Sequence, residues 1–116
     1  MYRALERKGE WTAAASTLEE MAAETKDPIW LSRAGQNYYK AGNYKEAKRV
    51  YKAVTDRAGV PDDIRATCMY GLALCYWDTG LKNSARRLAL RLTEQYPDTE
   101  AAMKARGSLY LWSQRE

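Results

Sequence analysis

Three times along this chain a turn-forming glycine is followed five residues later by an alanine, and no other feature of the sequence constrains the fold as tightly. Lys8-Gly9-Glu10-Trp11 leads to Ala14, Ala41-Gly42-Asn43-Tyr44 to Ala47, and Thr79-Gly80-Leu81-Lys82 to Ala85. The alanines stand 33 and 38 residues apart. A period in that range marks an array of two-helix units, each burying its apolar face against the next. The longer interval has a visible source in Arg57-Ala58-Gly59-Val60-Pro61-Asp62-Asp63, a turn-rich stretch ahead of the following helix.

The punctuation then sets the elements. Gly9, Gly42 and Gly80 each close a helix in a tight turn, where a left-handed residue costs glycine little. Pro28, Pro61 and Pro97 stand at or before helix starts, where the missing N–H is harmless. Helices are expected at about 1–8, 11–25, 28–41, 44–57, 61–79, 82–95 and 98–114, with no strand. The chain reads as a single all-α domain of 116 residues: a half repeat at 1–26, repeats at 27–59 and 60–97, and a terminal helix at 98–116.

Within the repeats the large and small residues fall in a fixed order. The second has Leu31, Ala34-Gly35, Tyr38, Gly42, Tyr44, Ala47, Tyr51 and Val54. The third has Met69, Leu72-Ala73, Tyr76, Gly80, Ala85, Ala89, Leu92 and Pro97. The first keeps Gly9, Trp11, Ala14, Leu18 and Met21, and Met103, Gly107 and Tyr110 restart the pattern after Pro97. This order resembles the tetratricopeptide repeat family, and the joint Glu94-Gln95-Tyr96-Pro97-Asp98-Thr99 is similar to those of bacterial envelope repeat proteins. The resemblance implies a right-handed superhelix of antiparallel helix pairs that binds other proteins. Gly35, Ala73 and Gly107 are expected where the first helix of a pair approaches the second closely. Leu72, Tyr76, Ala47 and Ala85 belong to the expected core, and Tyr38, Tyr76 and Tyr110 are assigned to packing. Three departures stand out: no aromatic after Gly80, a small Ala89, and Arg106 where an apolar residue is expected.

In such an array the concave groove is lined mainly by the first helix of each pair. Helical periodicity selects Ile29, Ser32, Gln36, Tyr39 and Lys40, then Thr67, Tyr70, Leu74, Trp77 and Asp78, then Lys104, Ser108, Leu111 and Trp112, with Arg3 and Arg7 from the first helix. Partner contact is therefore expected at Arg3, Arg7, Tyr39, Lys40, Tyr70, Leu74, Trp77, Lys104 and Trp112. Trp, Tyr and Arg are the side chains that dominate binding hot spots, and nine Tyr and four Trp with no Phe suit a half-wet groove. The bland alternative is that these aromatics complete the packing of the superhelix. Relatives that clamp a terminal carboxylate use two Lys, an Arg and two Asn; the positions that can be matched here hold Arg3, Arg33, Thr67 and Gly71, so that activity is not expected.

Other function classes are disfavoured. The chain has no His, which removes the commonest general base and neutral metal ligand. No catalytic activity, cofactor, metal or small-molecule substrate is expected. Asp62-Asp63 and Glu19-Glu20 read as helix N-terminal charge and a solvated face, not paired catalytic acids. Cys68 and Cys75, seven apart on one helix, are too distant to pair and read as buried small residues, favouring a reducing compartment. No segment reaches membrane-spanning length, and the start is not a signal peptide. A net charge of +4 favours an acidic protein or peptide partner. The rival class is a helical repeat that stacks single-stranded nucleic acid, against which Glu6, Glu10 and Asp78 interrupt the basic track. The last helix is expected to leave Met103, Tyr110, Leu111 and Trp112 uncovered, a patch through which an excised segment of a longer array would self-associate.

Overall fold

The structure, a computed structural model, describes residues 1–115. Among them are seven helices and no strand: α1 (Tyr2–Arg7), α2 (Trp11–Thr25), α3 (Pro28–Lys40), α4 (Tyr44–Thr55), α5 (Asp62–Asp78), α6 (Lys82–Gln95) and α7 (Glu100–Gln114). The ends have local causes. Asp27 caps α3, its carboxylate accepting from the Ile29 amide at 3.0 Å with Pro28 in the first helical position. Asn43 caps α4 and Thr99 caps α7 in the same way. Because Thr99 takes the capping position, α7 starts two residues later than expected. Gly9, Gly42 and Gly80 have φ of 76°, 78° and 89°, and each ends the turn between an odd helix and its even partner.

The helices form two layers. Each packs antiparallel on its chain neighbour, and α5 also packs on α3 and α7. The even helices have no comparable contact with one another. The odd layer is therefore the tighter and the even layer splays, so the stack curves with α3, α5 and α7 on the inner face.

Tyr51 shows how the inner layer closes. This α4 side chain, 3% exposed, inserts its ring between α3 and α5 where both present glycine. A Cβ added at Gly35 would stand 2.5 Å from the ring, and one at Gly71 only 2.3 Å. Gly35 plays the part expected of it, and Gly71, not singled out by the pattern, is closer still. Gly107 is a correction: a Cβ there would meet nothing within 4 Å, because no helix packs on that side of α7. Around Tyr51 one core cluster gathers Leu18, Val50, Val54, Leu72 and both cysteines. A second joins Met69, Ala85, Ala89, Leu92, Ala105 and Trp112. Leu72, Ala47 and Ala85 are buried as expected, and Tyr76 is half-buried between the clusters.

Polar side chains tie the units together. Glu19, expected on a solvated face, instead accepts from the Tyr38 hydroxyl and pairs with Arg49 at 2.9 Å, linking α2, α3 and α4. Arg57 donates to the carbonyl of Lys26 at 2.8 Å, joining the loop before α5 to the end of α2. Arg106, in its unexpected position, is exposed and donates to the Pro97 carbonyl at 3.0 Å.

Candidate functional site

The inner face carries a trough in two stretches. The upper one, 610 Å³, lies between α1 and α3 and is bordered by Arg3, Glu6, Arg7, Trp11, Arg33, Gln36, Asn37 and Lys40. The lower one, 360 Å³, runs across α3, α5 and α7 beside Ile29, Ser32, Gln36, Thr67, Tyr70 and Lys104. Gln36 borders both, so the two adjoin.

α1 is only six residues long, too short to persist alone, so side chains must dock it. Tyr2 packs edge-on against Trp30 with ring centroids 5.9 Å apart, and the Arg33 guanidinium lies 5.2 Å over the Tyr2 ring. One turn on, the Glu6 carboxylate takes Arg33 at 3.0 Å and the Asn37 amide at 2.6 Å. The Arg33 hydrogen bond, reinforced by Asn37 and opposed by partial burial, holds the Glu6 carboxyl below its usual range. Asn37 is 2% exposed, and its Oδ1 has no hydrogen-bond partner.

The upper trough thus holds four cations and one carboxylate, and the carboxylate is already committed to Arg33. Lys40 lies 4.8 Å over the Trp11 ring, a cation–π contact that leaves its charge unneutralised. Arg3 leans on the Tyr2 hydroxyl at 3.4 Å. The lower trough has the opposite balance, with Asp63 and Glu100 against Lys104, which pairs with Glu100 at 3.4 Å. Charge therefore falls from basic at the α1 end towards acidic at the starts of α5 and α7.

Of the expected contact residues, Arg3, Arg7 and Lys40 come together in the upper trough, and Tyr70 and Lys104 border the lower one. The remaining aromatics do not stand free. Tyr39 packs on Tyr44 with centroids 5.4 Å apart and donates its hydroxyl to Asp78; burial first, then that carboxylate, push its phenol well above the usual range. Trp77 and Trp112 stack at 4.5 Å and 7° between ring planes, with Lys82 and Arg86 also over the Trp77 ring at 5.0 and 5.5 Å. Trp112 is a correction: expected at an open end, it is 5% exposed because α7 folds it back onto α5. Leu74 packs against the second core cluster and Tyr70 shares a 2.8 Å hydrogen bond with Ser108. Tyr110, assigned to packing, is 66% exposed, beside Met103 and Leu111 on the outer side of α7.

The helical stripe read from the sequence leaves out Trp11 and Asn37, and includes Arg33 only as a match to the carboxylate clamp. Arg33 and Asn37 lie three and four residues from Gln36 and Arg33 respectively, so helical spacing carries the signal. Trp11 enters the repeat pattern only as a residue of the first turn.

Burial pushes the Cys68 thiol up to about 11 and the Cys75 thiol up to about 12. Both stay protonated at neutral pH, which makes them poor nucleophiles. No group of three metal-ligating side chains stands together among the described residues, and no described helix is long and apolar enough to cross a membrane.

A family profile described as tetratricopeptide repeat matches residues 32–100, from the second turn of α3 to the start of α7 and more than half of the chain. The chain belongs to the tetratricopeptide repeat family. The matched stretch holds the Tyr51 ring and the two glycines against it, the contact that closes the inner layer. Tetratricopeptide repeats are protein-interaction modules, typically non-catalytic. A search of curated proteins finds no match to the chain.

Proposed function

We propose that this tetratricopeptide segment holds a peptide or protein segment along its inner trough, with acidic residues of the partner at the α1 end, and that it performs no catalysis. The observation that carries the reading is the cluster of Arg3, Arg7 and Lys40 around Trp11, whose charges meet no carboxylate within the trough other than the committed Glu6. Clustered, uncompensated cations repel one another, and an acidic ligand relieves that repulsion while steering its own approach. The falling charge along the trough also supplies a polarity, so the partner binds in one direction. Single-stranded nucleic acid fits less well, since two of the expected groove aromatics, Trp77 and Trp112, cover each other.

Peptides selected from a random display library on the immobilised chain test this. Acidic residues should be enriched, and Arg7→Glu and Lys40→Glu should each weaken the selected peptide about tenfold, as reversal of a contacting charge does. Peptides indifferent to both substitutions, or an oligonucleotide that binds more tightly with a steep salt dependence, would rule the reading out.

A further inference from the structure

The outer face carries a second trough. It lies where α4 and α6, both packed on α5, diverge, and its volume is 540 Å³. Its floor is apolar: Met69 and Leu72 from α5, each with a remnant of exposure at 5% and 6%, and the half-buried Leu88 from α6. Its walls are cationic, with Lys52 from α4, Arg65 from α5, and Arg87 and Arg91 from α6, against the single carboxylate of Asp56.

The cations differ in their commitments. Arg65 donates to the carbonyls of Thr55 and Arg57, which fixes the loop before α5 but leaves its charge uncompensated. Lys52, Arg87 and Arg91 have no ion-pair partner among the described residues. The lining positions repeat as a helix face repeats. Residues 65, 69, 72 and 76 mark one side, and 84, 87, 88, 91 and 95 mark the other. The trough therefore follows three turns of α6, about 16 Å at 1.5 Å per residue. That length takes roughly five residues of extended chain.

We propose that this outer trough is a second docking surface, for a short acidic protein segment carrying an apolar side chain. The carboxylates would pair with Arg87, Arg91 and Lys52, and the apolar side chain would sit on Leu72 and Leu88. Charge complementarity selects the acid, and the recessed floor selects a peptide over other polyanions. A flat anionic membrane meets the wall charges without reaching the floor. A single-stranded nucleic acid needs free rings on which to stack. Of the two rings that line the trough, Tyr76 has Lys48 over it at 6.0 Å and Tyr96 is half-buried against the second core cluster. The surface stands apart from the inner trough, so either assignment can fail alone.

The probe is a labelled synthetic peptide of alternating Glu and Leu, titrated by fluorescence anisotropy with amide chemical-shift mapping. A matched Lys and Leu peptide, an oligodeoxynucleotide and phosphatidylserine vesicles serve as comparisons. Shifts should gather on α5 and α6, and the Arg87→Glu, Arg91→Glu double variant should weaken binding at least about tenfold. Both arginines are exposed and without internal ion pairs, so the reversal leaves the fold intact; circular dichroism checks that. Arg7→Glu, in the inner trough, should leave the shifts on α5 and α6 unchanged. Shifts confined to the inner trough, indifference to the double reversal, or tighter binding of the oligonucleotide or the vesicles would overturn the proposal.

Discussion

Gly71→Ala adds one methyl group to the middle of α5, a position where alanine is ordinarily the better helix former by about 1 kcal/mol. The structure predicts the opposite sign. The new Cβ would stand 2.3 Å from Cζ of Tyr51, more than 1 Å inside ordinary carbon–carbon contact. The ring has little room to give, since Gly35 on α3 lies equally tight against it and the side chain is 3% exposed. Relief must come from α5 moving off α3, which strains the inner layer. Overpacking of this kind costs about 1–3 kcal/mol and occasionally more. Taking the upper end and subtracting the propensity gain leaves about 2 kcal/mol of net loss, or a fall in Tm of about 8 °C for a chain of this size. Denaturant unfolding followed by circular dichroism measures it. Gly107→Ala is the control: it is equally mid-helical but open, so it should gain up to about 1 kcal/mol. Tyr51→Leu combined with Gly71→Ala should cost less than the two single changes added. A neutral or stabilising Gly71→Ala, or strict additivity with Tyr51→Leu, would refute the claim that one ring sets the spacing of α3 and α5.

Trp112→Ala should destabilise the chain by about 3 kcal/mol, the usual loss for a buried tryptophan, and change the emission of Trp77 as its stacking partner goes; Leu111→Ser, at an exposed position, should do neither. An unchanged melting curve for Trp112→Ala would return that residue to the set available for partner contact. Stability should also fall in alkali. Cys68 and Cys75 ionise near 9.0 when unfolded but only at about 11 and about 12 when folded, so what their neutrality contributes is intact below pH 9 and is lost as pH rises through 11 to 12. Each unit of that interval weakens folding by up to about 1.4 kcal/mol per thiol; a denaturation midpoint in urea that stays level from pH 8.5 to 10.5 would contradict the burial of both thiols.

The fold was legible because periodic glycines, alanines and prolines act locally. A left-handed turn needs Gly42 whatever surrounds it, and Asp27 with Pro28 starts a helix from within the chain. The groove was legible in part. Cationic residues on one helical face stay exposed because desolvating them is costly, so Arg3, Arg7 and Lys40 arrive together. Aromatic residues on the same stripe are pulled by burial towards any uncovered surface nearby, and no local rule says which surface that is. Trp112 therefore turns back onto Trp77, and Tyr39 finds Tyr44 and Asp78, encounters that depend on how α5 meets α7 and how α3 meets α4 and α5. The repeat pattern does not mark Gly71 as a close-packing position, for a related reason. A glycine within a helix has no local purpose, and its partner ring lies 20 positions away in sequence, at Tyr51.

The outer trough traces to a joint between units. Residues 26–27 connect α2 to α3, whereas residues 56–61 connect α4 to α5, and the longer joint lets α5 set its depth by the Tyr51 contact rather than by the pull of the chain. Arg65 and Arg57 then pin that joint to the carbonyls of Thr55 and Lys26. With the inner layer drawn together on glycine, the outer layer has to spread, and the opening between α4 and α6 is the geometric counterpart of the closure between α3 and α5. The inner trough owes its charge to a different circumstance. Its cations Arg3 and Arg7 sit on α1, whose six residues hold no helix by themselves. Tyr2 and the Glu6 carboxylate are what keep them in place, through Trp30, Arg33 and Asn37. The end of the trough with the most unneutralised charge is thus also the end with the fewest contacts to spare, and an acidic ligand that offsets the repulsion there also favours the docked state of α1.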